Sequence, residues 1–487
     1  MKVVWHPRVC ILYLILSAAS IGSSAQTFRV LANFNGTNGA NPDPKPIVQG
    51  TDGNLYSTSP NGGLYGYGTA FKMTPQGELT VLHNFCELPA CADGAFPGPG
   101  VVLGADRNFY GVAGGGANNL GEVFRITAAG VLTVLHSFDS TDGAYPNSNL
   151  VQGADGSFYG TTVEGGNLSS CSGFLGCGSV FKITPGGVFT SLHNFCNQTN
   201  CTDGAITWDG LALGDDGNLY GGTWQGGANN LGTIYKITPE GAFTTLYSFC
   251  AANSCAGGDN PLWLSLGNDG NFYGTTYSGG ANGVGAIFKI TPKGAVTTLY
   301  SFCAQTGCSD GSSPRGGLRL GSDGNFYGTT YFGGANALND GTAFKITLTG
   351  TLTTLHSFDG TDGANPVGGI GQDTRGIFYG APAFGGPDND GTIFSLNEGL
   401  GPFVQTAPGI GKIGQVVLII GTDLAGATSV TFNGTAATFK AVSSTIITAT
   451  LPSGATTGVV QVVTPHAKLS SSVNFLVEKS ASGPALR

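Results

Sequence analysis

Charge is scarce in this chain: Asp, Glu, Lys and Arg make up only 10% of its 487 residues. The 20 basic residues face 29 acids, giving a net charge of −9, and no basic stripe gathers them. Nucleic acid is thereby excluded as a partner, because phosphate binding needs such a stripe. After residue 25 no apolar run approaches the roughly 20 residues of a membrane-spanning helix. No glycine-rich phosphate loop, GxSxG elbow or HExxH helix is present. An EF-hand-like calcium loop wants several alternating acids with a closing glutamate, and only Asp388-Asn389-Asp390 is partly of that type. The expectation is therefore no metal, no cofactor and no catalytic residue.

Glycine is what the chain has in excess, at 83 residues. So much glycine with so little charge suits tight turns between strands buried on both faces, and no helix is expected in the mature chain. The length exceeds one ordinary core and calls for several domains or a large repeat array.

Residues 1–25 read as a signal peptide. Lys2 and Arg8 make a charged start, Val9 to Ala19 an apolar stretch, and Ser23-Ser24-Ala25 a cleavage site before Gln26. The stretch is too short to span a membrane. Cysteine usage agrees with export to the periplasm, the cell surface or the medium. Apart from Cys10, ten cysteines form five local pairs: Cys86/Cys91, Cys171/Cys177, Cys196/Cys201, Cys250/Cys255 and Cys303/Cys308. Each pair stands alone in its own part of the chain, without the CxxC spacing of a zinc site, and reads as a disulfide.

Internal self-similarity dominates everything else. A tyrosine recurs as Tyr56, Tyr110, Tyr159, Tyr220, Tyr273, Tyr327 and Tyr379, at intervals of 49 to 61 residues. An aromatic follows in step as Phe71, Phe124, Phe181, Tyr235, Phe288, Phe344 and Phe394. Each unit holds four short strand-like runs separated by turn signals, the size of one propeller blade. Asp-Gly pairs such as Asp323-Gly324 predict two-residue hairpin turns in which both residues tolerate positive φ.

The seventh unit stops after its third strand, and the missing fourth stands at the other end of the chain. Leu31, Phe34, Gly36, Gly39 and Pro42 match Leu355, Phe358, Gly360, Gly363 and Pro366. A solenoid gains nothing from that permutation, whereas a ring closed by an N-terminal strand loses two exposed sheet edges. The fold expected is all-β, a seven-bladed propeller over residues 26–398. From about residue 399 to 478 a different alternation, with turns at Gly421, Gly434 and Gly454, predicts a small immunoglobulin-like sandwich, and 479–487 a polar tail.

The run "DGNFYGTTYFGGAN…GTAFKIT…LTTLHSF" resembles the Gloeo/Verruco (GloVer) tandem repeat of exported bacterial proteins, over about residues 28–397. "IIGTDLAGATSVTFNGTAATF" with "ITATLPSGATTG" resembles the IPT/TIG immunoglobulin-like domain, over about 401–477. These resemblances imply fold and export and carry no catalytic residues. A fainter likeness, to streptogramin lyase propellers, rests on blade layout such as Asp269-Gly270-Asn271 and Ile290-Thr291-Pro292; the singular histidine such an enzyme needs is not evident. His83, His136, His193 and His356 share one repeated position that holds Tyr247 and Tyr300 elsewhere, so they read as packing and hydrogen bonding.

Within a blade the loops after the second and fourth strands leave on one face, and the tight turns on the other. Variation concentrates on the loop face, where binding usually resides. It includes the insertion at Cys171 to Cys177 and the four CxxxxC pairs, whose cross-links are expected to shape the binding surface. Trp208, Asp209, Trp263 and Arg315 are expected to ring its central opening, with Glu164, Trp224, Tyr277 and Tyr331 beside it. Aromatics mixed with a few polar groups suit a sugar or another flat ligand. The functional expectation is an exported, monomeric binding or adhesion-type protein that recognises a glycan or cell-surface component. A carbohydrate-active or lyase-type enzyme is the rival, with Asp43, Asp209 and Glu164 as its only candidate acids. A structural envelope protein is the third reading. The sandwich is expected to act as a spacer or second contact module.

Overall fold

The computed structural model describes residues 26–42, 47–168, 171, 174–250, 255, 257–336 and 338–478. The expected signal peptide, Asp43 and the expected tail fall outside the described residues. Among the described residues there is no α-helix, only strands and three single 3-10 turns, Pro89–Cys91, Thr199–Cys201 and Thr306–Cys308.

The repeat region forms seven antiparallel sheets, here counted in chain order. The sixth shows the plan: Arg319–Leu320, Phe326–Thr330, Thr342–Ile346 and Leu352–Ser357 pair in sequence order. The seventh takes its outer strand from the N-terminus. Thr27–Asn33 lies antiparallel to Thr392–Asn397, with Phe28 opposite Leu396 and Val30 opposite Phe394.

The recurring tyrosine does two jobs. Its hydroxyl donates to the aspartate of its own turn, Asp52, Asp106, Asp155, Asp216, Asp269, Asp323 or Asp373, at 2.7–3.1 Å. Its ring packs on the first residue of the same strand in the next sheet, as in Tyr110–Phe158 and Tyr327–Phe378, both with centroids 3.9 Å apart. The turns correct the two-residue expectation. Gln49 pairs with Leu55, so five residues make the first loop, and only Gly53 takes positive φ there. Asp52 is needed as an acceptor, for the Asn54 N–H and the Tyr56 hydroxyl.

A second aromatic series joins neighbouring sheets, edge to face in five pairs and tilted in the last. Phe85–Phe124, Phe138–Phe181, Phe195–Tyr235, Phe249–Phe288, Phe302–Phe344 and Phe358–Phe394 have centroids 5.2–5.5 Å apart. The series ends with Phe34, beyond the N-terminal strand, at 5.5 Å from Phe71 of the first sheet. Such rings bury about 150–250 Å² each and dominate the packing.

The C-terminal region is a two-sheet sandwich. Gln405–Ala407, Val416–Ile420, Ile446–Thr450 and Thr438–Ala441 form one sheet; Thr435–Ala436, Ser429–Phe432, Val460–Val463 and Lys468–Ser470 form the other. Val417 and Ile419 face its core with Phe432 and Phe475. Leu418 and Ile420 face the other way, into a cluster with Tyr56, Leu103 and Phe109 of the repeat region. Hydrogen bonds reinforce the contact. Thr445 Oγ1 donates to the Thr51 carbonyl at 2.8 Å, and Asn268 Nδ2 to that of Ser472 at 2.9 Å. Thr51 and Asn268 belong to the tight turns, so the sandwich is seated on the turn side.

Candidate functional site

With the turn side in contact with the sandwich, the opposite side carries the Gly-Gly and disulfide loops. All five predicted disulfides are present. Cys177, in the inserted loop and outside the four CxxxxC pairs, does not lie on the open surface. Its side chain is fully buried, packed with Val163, Val180 and Phe195, and its carbonyl accepts the Ile206 N–H at 2.8 Å. Cys196 lies buried in the same cluster. The physical reason is that a disulfide sulfur is apolar, so a half-cystine next to a strand end joins the core beneath the loop. The bridge Cys171–Cys177 therefore ties the inserted loop down to that core, and Cys177 offers nothing to a ligand.

Three of the other disulfides share an inner scaffold in which a buried aspartate gathers the loop. Asp203 accepts the N–H groups of Asn197 and Gln198 and pairs with His193 Nε2 at 3.1 Å. Asp93 does the same with His83, and Asp310 with the Tyr300 hydroxyl. The repeated histidine is thus a loop anchor, and tyrosine replaces it because either can reach the carboxylate. Burial pushes the Asp203 carboxyl up, but the bonds from His193, Asn197 and Gln198 outweigh it and hold the group below its ordinary range.

One position at the entry to each sheet recurs seven times with left-handed backbone: Asn41, Phe96, Tyr145, Ile206, Asn260, Ser313 and Asn365, with φ between 48° and 59°. The twist aims each N–H at a carbonyl of the neighbouring Gly-Gly loop, at 2.7–3.0 Å. Asparagine suits the site, since it tolerates this conformation and adds a side-chain bond, as Asn365 Nδ2 does to the Tyr331 carbonyl at 3.0 Å. Phe96 and Tyr145 accept the same strain without that bond, and their side chains stand 50% and 40% exposed.

Those two rings flank a groove of about 350 Å³ whose walls include Trp208, Pro97, Pro146, Asn147 and Glu164. Trp208 is 41% exposed. Thr207 itself fills the place of the missing proline, donating to the Thr162 carbonyl at 2.7 Å, so the indole is not needed as filler. One Glu164 oxygen accepts the Leu175 N–H at 2.8 Å, and a carboxylate retains further lone pairs. A second cluster joins the remaining predicted aromatics. The Arg315 guanidinium lies 5.1 Å from the Tyr277 ring and 4.1 Å from that of Tyr331, and Nη2 donates to the Tyr277 hydroxyl at 3.2 Å. Trp224 leans on Tyr277 at 5.5 Å.

Two predicted residues lie elsewhere. Asp209 is buried, and its carbonyl accepts from Thr161 Oγ1. Trp263 sits on a bulge between Leu262 and Leu264 with φ 23°. Its indole crowds Gly210 and Gly317 and lines an inner cavity shared with Ala407 and Ile420 of the sandwich. The bulge turned it inward, which strand alternation does not foretell. Phe96 and Tyr145 escaped the sequence reading, although aromatics standing where three other repeats carry asparagine were the available signal. The groove offers ring faces, an amide and a carboxylate, which is stacking and hydrogen-bonding chemistry. Among the described residues two cysteine-containing groups, Cys171 with Cys196 and Cys201, and Cys250 with Cys255 and Asp259, have ligand-like spacing. Their sulfurs are in disulfides and supply no thiolate.

The model of the Gloeobacter/Verrucomicrobia repeat family matches residues 19–200 and 168–394, and that of the IPT/TIG domain residues 405–477. No match is found among curated proteins. Among solved structures, the chain is similar to XC5397 of Xanthomonas campestris, a gluconolactonase, at 13% identity and a TM-score of 0.35, over 74% of this chain and 88% of that one. It is also similar to the extracellular domain of BT4673 from Bacteroides thetaiotaomicron, at 11% identity and a TM-score of 0.46, over 91% of this chain and 56% of that one.

Proposed function

Because the chain belongs to the Gloeobacter/Verrucomicrobia repeat family and carries an IPT/TIG domain, we propose that it is an exported, monomeric binding protein, a closed seven-bladed propeller that recognises glycans. The closed ring is supported by the Thr27–Asn33 pairing and by the Phe34–Phe71 contact, which continues the series between the last sheet and the first. Export is supported by five disulfides, which persist in oxidising compartments. Among the described residues no helix is long and apolar enough to cross a membrane.

The observation that carries the ligand reading is the pair of exposed aromatics, Phe96 and Tyr145, held in left-handed backbone beside Trp208. Strain kept where a better residue is used elsewhere in the same chain points to selection for something other than stability. Sugar rings offer an apolar face to stack on such side chains, with hydroxyls for Glu164 and Asn147. The test is a glycan array probed with the mature protein and with the double variant Phe96→Asn/Tyr145→Asn. Asparagine relieves the strain and supplies the missing bond, so the variant is expected to be as stable as the wild type or more so, by about 1 kcal/mol per site, while losing its glycan signal. Undiminished glycan binding by the variant, or an array blank for the wild type, contradicts the reading.

A further inference from the structure

Each innermost strand presents one residue opposite the recurring tyrosine. Six of these are Val48, Val102, Val151, Ala212, Ser265 and Gly371; the seventh is Arg319. Arg319 lines two cavities of about 400 and about 230 Å³, which share Leu213, Gln405, Thr406 and Gly409 and lie between the inner strands and the IPT/TIG domain. Among the described residues no Asp or Glu lines either one. The Nε of Arg319 is buried without an acceptor. Burial presses its pKa below the ordinary value, but a guanidinium stays charged in any protein. A partly buried cation without a counter-charge in its cavities is costly, and chains rarely keep one without use.

A second unsatisfied group belongs to a residue that lines the larger cavity. Asn149 Oδ1 is buried and lacks a donor. The neighbouring amides each make at least one bond: Gln49 accepts the Thr374 N–H, Gln152 that of Ala105, Gln372 that of Ser322, and Gln405 donates to the Gln372 carbonyl. Arg319 and Asn149 therefore supply a forked donor and an unsatisfied acceptor to a lining whose hydrocarbon comes from Val102, Val151 and Leu213 and whose polar part comes from glutamines.

We propose that this cavity binds a small organic carboxylate whose apolar body carries a hydroxyl: the carboxylate on Arg319, the hydroxyl donating to Asn149 Oδ1, and the hydrocarbon against Val102, Val151 and Leu213. The planar guanidinium fork matches a carboxylate, and one cation with no second positive group among the described lining residues does not suit a phosphate dianion. The site is separate from the glycan groove and stands or falls without it.

The experiment is calorimetric titration of the mature chain with 3-hydroxyhexanoate, hexane-1,3-diol and inorganic phosphate, repeated with Arg319→Met and Asn149→Leu. The hydroxy acid is expected to bind and to raise the melting temperature, and the diol to bind at least about tenfold more weakly. Arg319→Met should bring the acid down to the level of the diol while its ligand-free melting temperature holds or rises, because an unpaired buried charge has been removed. Phe96→Asn/Tyr145→Asn should leave the titration unchanged. No binding of the hydroxy acid below about 10 mM, equal affinity for the diol, or full binding by Arg319→Met overturns the proposal. Tighter binding of phosphate than of the hydroxy acid overturns the carboxylate assignment. The comparison of acid with diol needs no variant and decides the matter even if Arg319→Met fails to fold.

Discussion

Glu122 marks a place where a cross-strand hydroxyl pair of the repeat is replaced by a carboxyl. Four sheets join their second and third strands with such a pair, Ser59 with Thr69, Thr162 with Ser179, Thr223 with Thr233 and Thr330 with Thr342, at 2.9–3.0 Å. In the second sheet Ala113 faces Glu122, and both carboxyl oxygens are buried without a partner. Burial, and then the charge of Asp93, push the group up to about 9. The folded state therefore keeps its proton from about pH 4.5 to 9 while the unfolded chain gives it up, so stability falls as pH rises through that window. Glu122→Gln is expected to flatten that decline, gaining roughly 3 kcal/mol on the wild type at pH 7 and little at pH 4. Denaturant melts at the two pH values check it, and a pH-independent difference defeats it. Ala113→Thr/Glu122→Thr, which rebuilds the hydroxyl pair, should stabilise at pH 7 as well. At this scale the sequence was only partly legible. Repetition exposed the seven tyrosines because each serves both its turn and its neighbour sheet. Single departures such as Glu122 and Arg319 carry no period and look like ordinary surface charge until burial is known.

Three of the disulfide loops behave as small elements with two fasteners each. In the loop Cys196–Cys201 the cross-link closes five residues, a stabilisation of about 2 kcal/mol from chain entropy. Asp203 beside it holds two backbone N–H groups and His193. Removing the carboxylate strands these donors, so Asp203→Ala should cost roughly 3 to 5 kcal/mol against about 2 for Cys196→Ser/Cys201→Ser. Thermal melts of the two variants give the order, and a larger loss for the serine pair reverses the account. Cysteine spacing made the pairing readable because five residues leave almost no alternative partner. The depth of Cys177 was not readable, since the spacing of a pair says nothing of which sulfur meets the core. The aspartate's part was hidden too, because the same letter in the tight turns serves a tyrosine instead.

At the scale of the molecule, the strand Val416–Ile420 couples the two domains by burying both of its faces. An unbroken apolar run of that kind was a visible signal that the sandwich needs cover on its outer side, and alternation alone did not convey it. The repeat region and the sandwich are expected to unfold in a single calorimetric transition. Leu418→Asp, which buries a charge at the contact, should split it in two at a cost of about 3 kcal/mol. Two transitions already in the wild type would show the contact to be energetically idle. Deleting residues 26–34 uncovers the edge of Thr392–Asn397 and strips Phe71 of its partner, so soluble oligomers joined through that edge should appear on size exclusion. A monomeric deletion variant with the wild-type melting temperature refutes the closure. The pairing of the N-terminal strand with the last repeat was the most legible feature of all, because a permuted repeat is a pattern that only an end-to-end contact explains.

That pairing also gives the molecule a seam. Asn41 donates to the carbonyl of Ala383, 342 residues away, whereas each cross-linked loop closes within five or six. Contacts so distant in sequence form late, since the entropy of bringing the ends together comes before any reward. The local loops can be shut and oxidised while the array is still open, and the chain's beginning must wait for its end. Neither strand at the junction carries a cysteine, so only hydrogen bonds and packed aromatics hold it. Heat, force or a protease should therefore enter at Thr27–Asn33, and amide exchange there should outrun that of the six sheets built from continuous chain.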